Sequence, residues 1–429
     1  MRLDFSLIDI SLAWCGALFF FGVLALPARA EDGRWSLQEV IQLAHENYPD
    51  LKAKGFELRA VEEDLSSAKW ARYPRLVYAI EDVEGGANDA VATVRQPLFT
   101  FGKIRYRIEA ASASVNLAEQ DVKSVELGLS QEVARLFFSI LGSERRSEIA
   151  RQNTEAHLDL LQMIERRVKA EASAASDQTL AQARFDLARA EKKQINQELE
   201  ISRLQLIELT GRRIESVGYP LENAPDVPGQ NEIFSLAQIF SPTLQKLEAE
   251  MKVAQARVAL VEAELFPDVQ LTYQDRKGRE SFFNPRLERL YIEVSLDTGH
   301  GLQKKANLNA AKERWLATRE RIEGERLRLH SEVASISAQI QVALEQRSIL
   351  ERLQASTQAV VNSYLRQYTV GRKSWLDVMN AQREWTSSRY QYEQNLINLN
   401  ALAIGASLLT GQWFDPIGQD TEFSAATEP

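Results

Sequence analysis

The chain has 429 residues, of which 45% are hydrophobic and 26% are charged, and its formal net charge at pH 7 is −9. This composition excludes an intrinsically disordered chain, and the acidic balance with dispersed basic residues argues against a nucleic-acid-binding protein. The four histidines are widely separated, and the sequence contains neither a glycine-rich phosphate loop nor a nucleophile elbow. We therefore predict that the chain is not an enzyme and that it binds no cofactor or metal.

The first thirty residues have the features of a secretory signal. Residues 12–26 form an apolar core that is shorter than the ~20 residues needed to span a bilayer, and positions 28–30 provide an Ala-x-Ala cleavage site. The alternative is an uncleaved anchor, because acidic residues weaken the positive charge expected at the N-terminus. The single cysteine, Cys15, follows Trp14 within this segment, so we predict neither a lipid anchor nor a disulfide in the mature chain.

The rest of the chain contains an internal repeat. The pattern Asp-x-x-x-Ala-Gln at 377–382 is also found two hundred positions earlier at 177–182, and Leu-Thr-Gly at 409–411 is also found at 209–211. A repeat of this length determines the architecture before any single residue does. We predict a signal peptide at 1–30, a first repeat at 31–233, a second repeat at 234–413 and a polar C-terminal tail at 414–429.

Two proline-free stretches, 98–219 and 286–415, are rich in strong helix formers. Proline destabilises a helix interior by about 3 kcal/mol, so these stretches are where long helices can form. We predict outward helices over 102–169 and 301–368, returning helices over 177–210 and 377–410, and shorter helices over 50–72 and 244–265. Apolar residues between 329 and 343 have the spacing of a coiled-coil seam, which is continued by Leu350, Leu353, Val360 and Tyr364.

Two segments outside these helices predict β-hairpins, at about 75–98 and 268–297. Apolar residues alternate with polar ones over 269–274 and 290–297, as in a strand with one apolar and one polar face. The alternation places Glu293, Ser295 and Asp297 on the polar face, which we expect to line a lumen. Two surface hairpins on a soluble domain are the alternative. A membrane β-barrel is favoured because one face needs water while the other needs an apolar environment.

Four strands per chain cannot close into a barrel, and open strand edges are not tolerated in lipid. Several copies must therefore contribute strands. Two copies would give an eight-stranded barrel with no channel, and three would give twelve strands with room for a lumen. The predicted fold class is mainly α with a membrane β-barrel, in which a symmetric homotrimer combines a helical tube with a twelve-stranded barrel.

Two motifs resemble those of the outer membrane efflux proteins of the TolC family. The first is Tyr-x-Val-Gly-x-x-Ser-x-x-Asp-Val-x-x-Ala-Gln at 368–382, and the second is the junction from strand into helix at 94–103. The resemblance covers about residues 36–413. It implies a homotrimer whose twelve long helices form an α-barrel across the periplasm, below a twelve-stranded β-barrel in outer membrane lipid. The implied partners are a periplasmic adaptor, or membrane fusion protein, and an inner-membrane ABC transporter.

The sequence of residues 371–378 is most similar to that of the family branch that serves type I secretion of large adhesins. The resemblance therefore implies the outer membrane exit duct of a type I secretion system. An outer membrane component of a pump for small molecules, such as drugs or metal ions, is the alternative within the family. A periplasmic helical-hairpin adaptor is the alternative of another class, although an adaptor would carry one hairpin rather than two equal units.

The resemblance also implies roles for the two turns that join the long helices, near 170–176 and 370–373. In the family such turns form the periplasmic entrance and meet the adaptor. The implied entrance residues are Asp177, Lys373, Asp377 and Asn380, and the implied adaptor-contacting residues are Val370, Gly371, Arg372 and Ser374. A ring of Asp377 carboxylates would favour cations. The alternative role for Asp377 is a first-turn acid that stabilises the helix dipole.

Asn380 stands where the family has a second aspartate, so the resemblance implies one acidic ring at the entrance instead of two. Phe282 and Phe283 lie between the two strands of the second hairpin. We expect them to form either an interfacial aromatic belt or a loop that packs on itself.

Overall fold

The computed structural model describes residues 34–83, 87–218, 228–277, 287–297, 299–301 and 303–412. Within these ranges the elements follow the order α1 (Leu37–Asn47), α2 (Pro49–Trp70), β1 (Arg75–Val83), β2 (Ala87–Phe99), α3 (Lys103–Lys169), α4 (Ala175–Thr210), α5 (Gln230–Phe240), α6 (Pro242–Ala263), β3 (Asp268–Lys277), β4 (Leu287–Ser295), α7 (Gln303–Thr369) and α8 (Trp375–Thr410). The predicted signal peptide, the C-terminal tail and the pair Phe282 and Phe283 lie outside the described residues.

The two halves of the chain contain the same elements at similar lengths. Helices α3 and α7 each have 67 residues, α4 and α8 each have 36, α2 and α6 each have 22, and α1 and α5 each have 11. At 1.5 Å per residue the two longest helices each extend about 100 Å. Each half is therefore a long helical hairpin with a strand hairpin at the end opposite its helical turn.

The helix boundaries follow from local sequence signals. Ser36 caps α1 in a capping box, which satisfies amide groups that the helix leaves free. Pro49 and Pro242 begin α2 and α6, where the missing amide hydrogen is not needed. Helices α4 and α8 end at Gly211 and Gly411, whose φ angles of 68° and 69° are left-handed.

Helix α3 lies at the centre of the helical part. It packs against α4 and α8 and also against α2 and α6, so it contacts both halves of the chain. The main core surrounds Phe137 and Ile140 of α3 and includes Leu37 and Val40 of α1 together with Ile404 of α8. This core therefore joins α1 and α8 to the middle of α3.

The apolar stripe of α7 departs from its predicted course in the second half of the helix. The stripe is largely buried as predicted up to Ala343, but Leu353 and Val360 are exposed. Val361 is buried instead, and the hydroxyl of Thr357 lies 2.9 Å from a serine hydroxyl of α8. The α7–α8 interface includes the polar Thr357 here. The apolar residues alone therefore predicted Val360 as the buried position, whereas the buried residue is the next one, Val361.

The four strands form one antiparallel sheet in the order β1-β2-β3-β4. Leu76 of β1 is paired with Val94 of β2, Val94 with Tyr273 of β3, and Tyr273 with Leu290 of β4. The β2–β3 pairing therefore joins the two predicted hairpins into one sheet. Across the described ranges, no helix is both long enough and apolar enough to cross a membrane.

Candidate functional site

One face of the sheet is an exposed apolar surface. Its members on the two outer strands are each 64–69% exposed: Leu76, Tyr78 and Ile80 of β1, and Leu290, Ile292 and Val294 of β4. We call this surface, together with Val94 and Tyr273 between the outer strands, the apolar sheet face. Soluble monomers rarely expose a large contiguous apolar patch, which marks this face as an interaction surface.

The opposite face of the sheet is polar and concave. Thr272 is 0% and Thr93 is 8% exposed, yet no helix in the described ranges makes an extended contact with the sheet. The side chains on this face therefore cover one another, which requires the sheet to curl towards them. The hydroxyl of Thr272 donates a hydrogen bond of 3.1 Å to Glu293 Oε2, which holds that carboxylate on the concave face.

The structure separates the three residues that were predicted to line a lumen. Glu293 and Ser295 lie on the concave face, paired with polar residues of β3. Asp297 does not lie on the strand as predicted, because β4 ends at Ser295. Its carboxylate accepts a hydrogen bond of 2.9 Å from the Gly299 amide and lies 3.6 Å from Lys304 Nζ. Asp297 therefore shapes the connection into α7.

The outer strands leave two edges of the sheet open. In the part of the chain that the structure describes, β1 pairs with β2 alone and β4 with β3 alone. An open edge presents unpaired N–H and C=O groups, and lipid cannot hydrogen-bond them. The sheet therefore needs partner strands wherever its apolar sheet face meets lipid.

Aromatic side chains cluster where the strands meet the helices. The rings of Trp70 and Tyr73 are 4.9 Å apart, and the ring of Phe101 stacks on Phe266 at 5.5 Å and meets Phe99 edge-on at 4.6 Å. Aromatic residues favour the boundary between lipid and water. Phe266 belongs to the second half of the chain, so its contact with Phe101 arises only in the fold and could not be predicted from the sequence.

The α7–α8 turn has a tightly hydrogen-bonded backbone. Gly371 has a φ of 75°, and its amide donates to the Tyr368 carbonyl at 3.0 Å. The Arg372 amide donates to the Gln367 carbonyl at 2.9 Å. Together these bonds form a Schellman motif, which needs a left-handed residue at the position of Gly371. Ser374 then begins α8 as its N-cap residue.

Asp377 is the partner of Ser374 in a capping box. Its Oδ2 accepts hydrogen bonds of 2.8 and 3.1 Å from the Ser374 hydroxyl and amide, and its amide donates to the Ser374 hydroxyl at 3.2 Å. These bonds and the nearby charge of Lys373 lower the pKa of the Asp377 carboxyl. The alternative role of Asp377 as a helix-stabilising acid therefore has a direct structural basis.

The other predicted residues of this turn lie on one exposed surface. Val370 is 70% exposed, and Gly371, Arg372 and Ser374 are also exposed. Lys373 is held against the end of α7, because its Nζ lies 4.4 Å from the centre of the Tyr364 ring in a cation–π contact.

Asn380 lies farther along α8, beside a groove between α4 and α8. The groove has a volume of about 300 Å³, and His157 and Arg383 also line it. Burial, with the nearby charge of Arg184, lowers the pKa of His157. Asn380 therefore adds a neutral polar group to this groove, where an aspartate would add a negative charge.

The α3–α4 turn has the same backbone geometry with different residues. Glu171 has a φ of 57°, and the amides of Glu171 and Ala172 donate to α3 carbonyls at 3.0 and 2.8 Å. Ala174 precedes α4 and forms no side-chain cap. Asp177 occupies the position in α4 that Asp377 occupies in α8, but it faces an alanine in place of the capping serine.

A shared core holds the two turns together. Residues of all four long helices belong to one buried cluster, among them Ala181 of α4 and Tyr368 of α7. Close to it, the buried Thr386 hydroxyl of α8 donates to Asn153 Oδ1 of α3 at 2.9 Å. The predicted entrance residues of both repeats therefore lie at the same end of the molecule.

A pair of long helical hairpins with an apolar, open-edged sheet at one end is the architecture of a membrane channel subunit. The chain belongs to the outer membrane efflux protein family, whose model matches residues 40–212 and 233–403. The two matched stretches coincide with the two structural halves.

Three known proteins illustrate the similarity. The cobalt-zinc-cadmium resistance protein CzcC of Cupriavidus metallidurans is 24% identical over 369 residues, or 85% of this chain and 87% of CzcC. The alkaline protease secretion protein AprF of Pseudomonas aeruginosa is 23% identical over 420 residues, or 87% of this chain and 85% of AprF. The solved structure of the outer-membrane channel OprN is 21% identical, with a TM-score of 0.76 over 87% of this chain and 89% of OprN.

The predicted membership of the TolC-family outer membrane efflux proteins is confirmed, as is the predicted fold class of long helices with a small sheet. The chain is an outer membrane efflux channel protein. The alternative of a periplasmic adaptor is wrong, because the chain has two helical hairpins and matches the channel family in both.

Proposed function

We propose that three copies of the chain assemble into a homotrimeric exit duct in the outer membrane. One observation carries this proposal: the apolar sheet face is bounded by two open edges, on β1 and β4. Lipid can surround the apolar sheet face only if each open edge pairs with a strand of another copy. Rotational symmetry would place β1 of one copy beside β4 of the next.

Three copies fit the requirement for a passage better than two. Eight strands enclose an interior that side chains fill, whereas twelve strands leave a lumen. The four long helices of each copy, α3, α4, α7 and α8, would then contribute to a twelve-helix tube through the periplasm. The concave polar face of the sheet would line the lumen at the membrane.

Disulfide cross-linking tests this assembly. The chain has one cysteine, Cys15, which lies in the predicted signal. Leu76→Cys on β1, combined in turn with Leu290→Cys, Ile292→Cys or Val294→Cys on β4, should yield a covalent trimer for the pair in register. The matched control places both cysteines on the adjacent strands β1 and β2, at Leu76 and Val94, and should give cross-links within one chain. Dimers without trimers would contradict the proposal.

At the periplasmic end, we infer that the exposed residues Val370, Gly371, Arg372 and Ser374 contact an adaptor. An inner-membrane ABC transporter would supply the energy, because the outer membrane component is a passive duct. Val370 and Leu376 are 70% and 45% exposed, which gives this surface an apolar contribution that a partner could bury. Val370→Asp should weaken adaptor binding in a pull-down, while the same change at Leu327, which is 73% exposed and about 60 Å from the turn along α7, should not.

We also propose that Asp377 acts at the entrance, with Asp177, Lys373 and Asn380 around it. Three Asp377 carboxylates around one axis would favour cations. Because Asp377 also caps α8, its removal has two effects, which Ser374→Ala separates by breaking the cap while keeping the charge. In single-channel recordings, Asp377→Ala should lower cation preference and Ser374→Ala should not. If Asp377→Ala and the unmodified channel have the same cation preference, the entrance role is rejected.

For the cargo, we propose a large secreted protein such as an adhesin, exported by type I secretion. The similarity to the protease secretion protein AprF supports this proposal. The second candidate is efflux of metal ions, which the similarity to CzcC supports. Deletion of the gene should remove one large protein from the culture medium under the first proposal. Under the second it should raise sensitivity to cobalt, zinc or cadmium and leave the secreted proteins unchanged.

A further inference from the structure

Four arginines share the concave face of the sheet. Arg75 of β1 is paired directly with Arg95 of β2, which is paired in turn with Thr272 of β3. Directly paired residues project to the same face, and Thr272 lies on the concave face. By the same register, Arg276 of β3 and Arg289 of β4 also lie on this face. We call three of them, Arg75, Arg95 and Arg289, the arginine band.

The band is free of acidic residues along three successive rows of the sheet. The rows are Arg75–Arg95–Thr272–Tyr291, Val77–Thr93–Gln274–Arg289 and Ala79–Val91–Arg276–Leu287. At ~3.3 Å per residue, these rows extend about 13 Å along the strands. Towards the helices, the first acids of the concave face beyond these rows are Glu293 and Asp268.

Glu293 and Asp268 do not neutralise the band. Glu293 is engaged by the hydroxyl of Thr272 at 3.1 Å, and Asp268 forms an ion pair of 2.8 Å with Lys103. Among the described residues, Arg75, Arg95 and Arg289 form no ion pair, and the buried Nε of Arg95 has no hydrogen-bond partner. A guanidinium group carries a full positive charge, so each arginine of the band adds one positive charge to the concave face.

We propose that the arginine band makes the membrane segment of the channel selective for anions, so that acidic cargo passes more readily than free divalent cations. This inference rests on the proposed trimeric duct, in which nine guanidinium groups would surround one lumen. Rings of Arg or Lys side chains favour anions in pores because a fixed positive potential attracts anions and repels cations. The band therefore weighs against bare metal ions as cargo and in favour of an acidic polypeptide.

The test is a reversal-potential measurement in planar bilayers across a KCl gradient. The variant is the triple substitution Arg75→Gln, Arg95→Gln and Arg289→Gln, and its matched control is the corresponding triple Lys variant, which keeps the charge. All are also measured with Asp377→Ala, so that the entrance carboxylates do not mask the band. In the Asp377→Ala background, we expect chloride to be preferred over potassium in the channels that carry Arg or Lys at the three positions, and the preference to fall about two-fold or more in the Gln channel.

Salt dependence adds a second readout. The Debye length is about 10 Å at 0.1 M and about 3 Å at 1 M salt, so the anion preference should weaken as salt rises. Identical reversal potentials for the Gln and unmodified channels, or cation preference in the Asp377→Ala background, would overturn the arginine-band inference while leaving the duct intact. If the unmodified protein forms no channels at all, the proposed duct itself is wrong. If the triple Gln variant fails to assemble, the three single variants should each show part of the shift, and unchanged single variants would also reject the inference.

Discussion

Glu171 and Gly371 occupy the same left-handed position in two turns with the same hydrogen-bonding pattern, with φ angles of 57° and 75°. Each is the residue that lets its long helix end in a Schellman motif. Glycine adopts this conformation without a steric cost, whereas a residue with a Cβ atom does not. The two repeats therefore share a turn geometry that the first repeat maintains at a conformational cost.

Replacing Glu171 with glycine should stabilise the α3–α4 turn. The left-handed region costs an L-residue about 1–2 kcal/mol, part of which glycine loses again through the entropy of the unfolded chain. We expect a net gain of up to about 1 kcal/mol, read as slower amide exchange in residues 165–175. Ala172→Gly, at a neighbouring position without a left-handed φ, is the control and should not slow exchange. Faster exchange in Glu171→Gly would contradict the prediction.

Gly371→Ala should produce the opposite effect in the α7–α8 turn. A Cβ at Gly371 would meet no atom within 4 Å, so the cost is conformational alone. We expect a local loss of about 1 kcal/mol, measured by amide exchange around residues 366–376. No change in exchange would mean that the left-handed conformation is not required there.

The glycines that end α4 and α8 should respond unequally to alanine. Their φ angles are 68° and 69°, but a Cβ at Gly211 would lie 3.8 Å from its nearest neighbour, whereas at Gly411 it would overlap the ring of Phe240. Gly211→Ala should cost about 1 kcal/mol through strain alone. Gly411→Ala should cost clearly more, because overpacking typically adds about 1–3 kcal/mol. Thermal unfolding followed by circular dichroism compares the two, and equal midpoints would contradict the prediction.

Asp121 should make stability sensitive to acid. It lies on α3 and bridges Lys54 of α2 at 2.9 Å and Lys246 of α6 at 2.6 Å. Burial alone would raise its pKa, but hydrogen bonds from Lys246 and Lys54 outweigh burial and leave the pKa lowered. The stabilisation is therefore complete above the pKa of an unfolded aspartate, about 3.9, and is lost as pH falls through the lower pKa of the folded state.

Asp121→Asn should remove this stabilisation at neutral pH, at a cost of about 1–2 kcal/mol for a partly buried pair. Unfolding midpoints at pH 7 and pH 3 measure this stabilisation. The difference in midpoint between Asp121→Asn and the unmodified protein should be smaller at pH 3 than at pH 7. Glu57→Gln is the control, because Glu57 also pairs with Lys54 but is largely exposed. A variant that matches the unmodified protein at pH 7 would show that the bridge contributes nothing.

The buried hydrogen bond between Thr386 and Asn153 should contribute to the packing of α8 on α3. Thr386→Val keeps the shape of the side chain and removes its donor, which leaves Asn153 Oδ1 with the longer 3.5 Å hydrogen bond from Gln382 Nε2. We expect a loss of about 1 kcal/mol in the free energy of unfolding. Thr179→Val, on the exposed surface of α4, is the control and should change stability by less than about 0.5 kcal/mol.

The sequence was sufficient to predict the elements because their signals are local. The helices predicted over 102–169 and 301–368 extend over Lys103–Lys169 and Gln303–Thr369 in the structure, so each boundary differs by at most two residues. The Ser-x-x-Asp spacing at Ser374 and Asp377 likewise fits the observed capping box. Proline exclusion, alternation and capping each depend on residues that are near one another in the chain.

The features that sequence reasoning missed depend on long-range pairing or on unusual conformation. The arginine band exists only in the sheet register, which brings Arg75 and Arg95 of the first half into line with Arg289 of the second. The left-handed Glu171 could not be predicted because glycine is the residue that signals this conformation. Asp297 was misplaced because alternation does not show where a strand ends.

The central position of α3 has a consequence for the order of folding. The core around Phe137 of α3 is completed by Ile397, Ala403 and Ile404, which belong to α8, the last helix of the described residues. Synthesis and export of the first half alone therefore leave an apolar surface on α3 that nothing yet covers. Until α8 has been made, this surface of α3 is an exposed apolar patch, which is the kind of surface that promotes aggregation during folding.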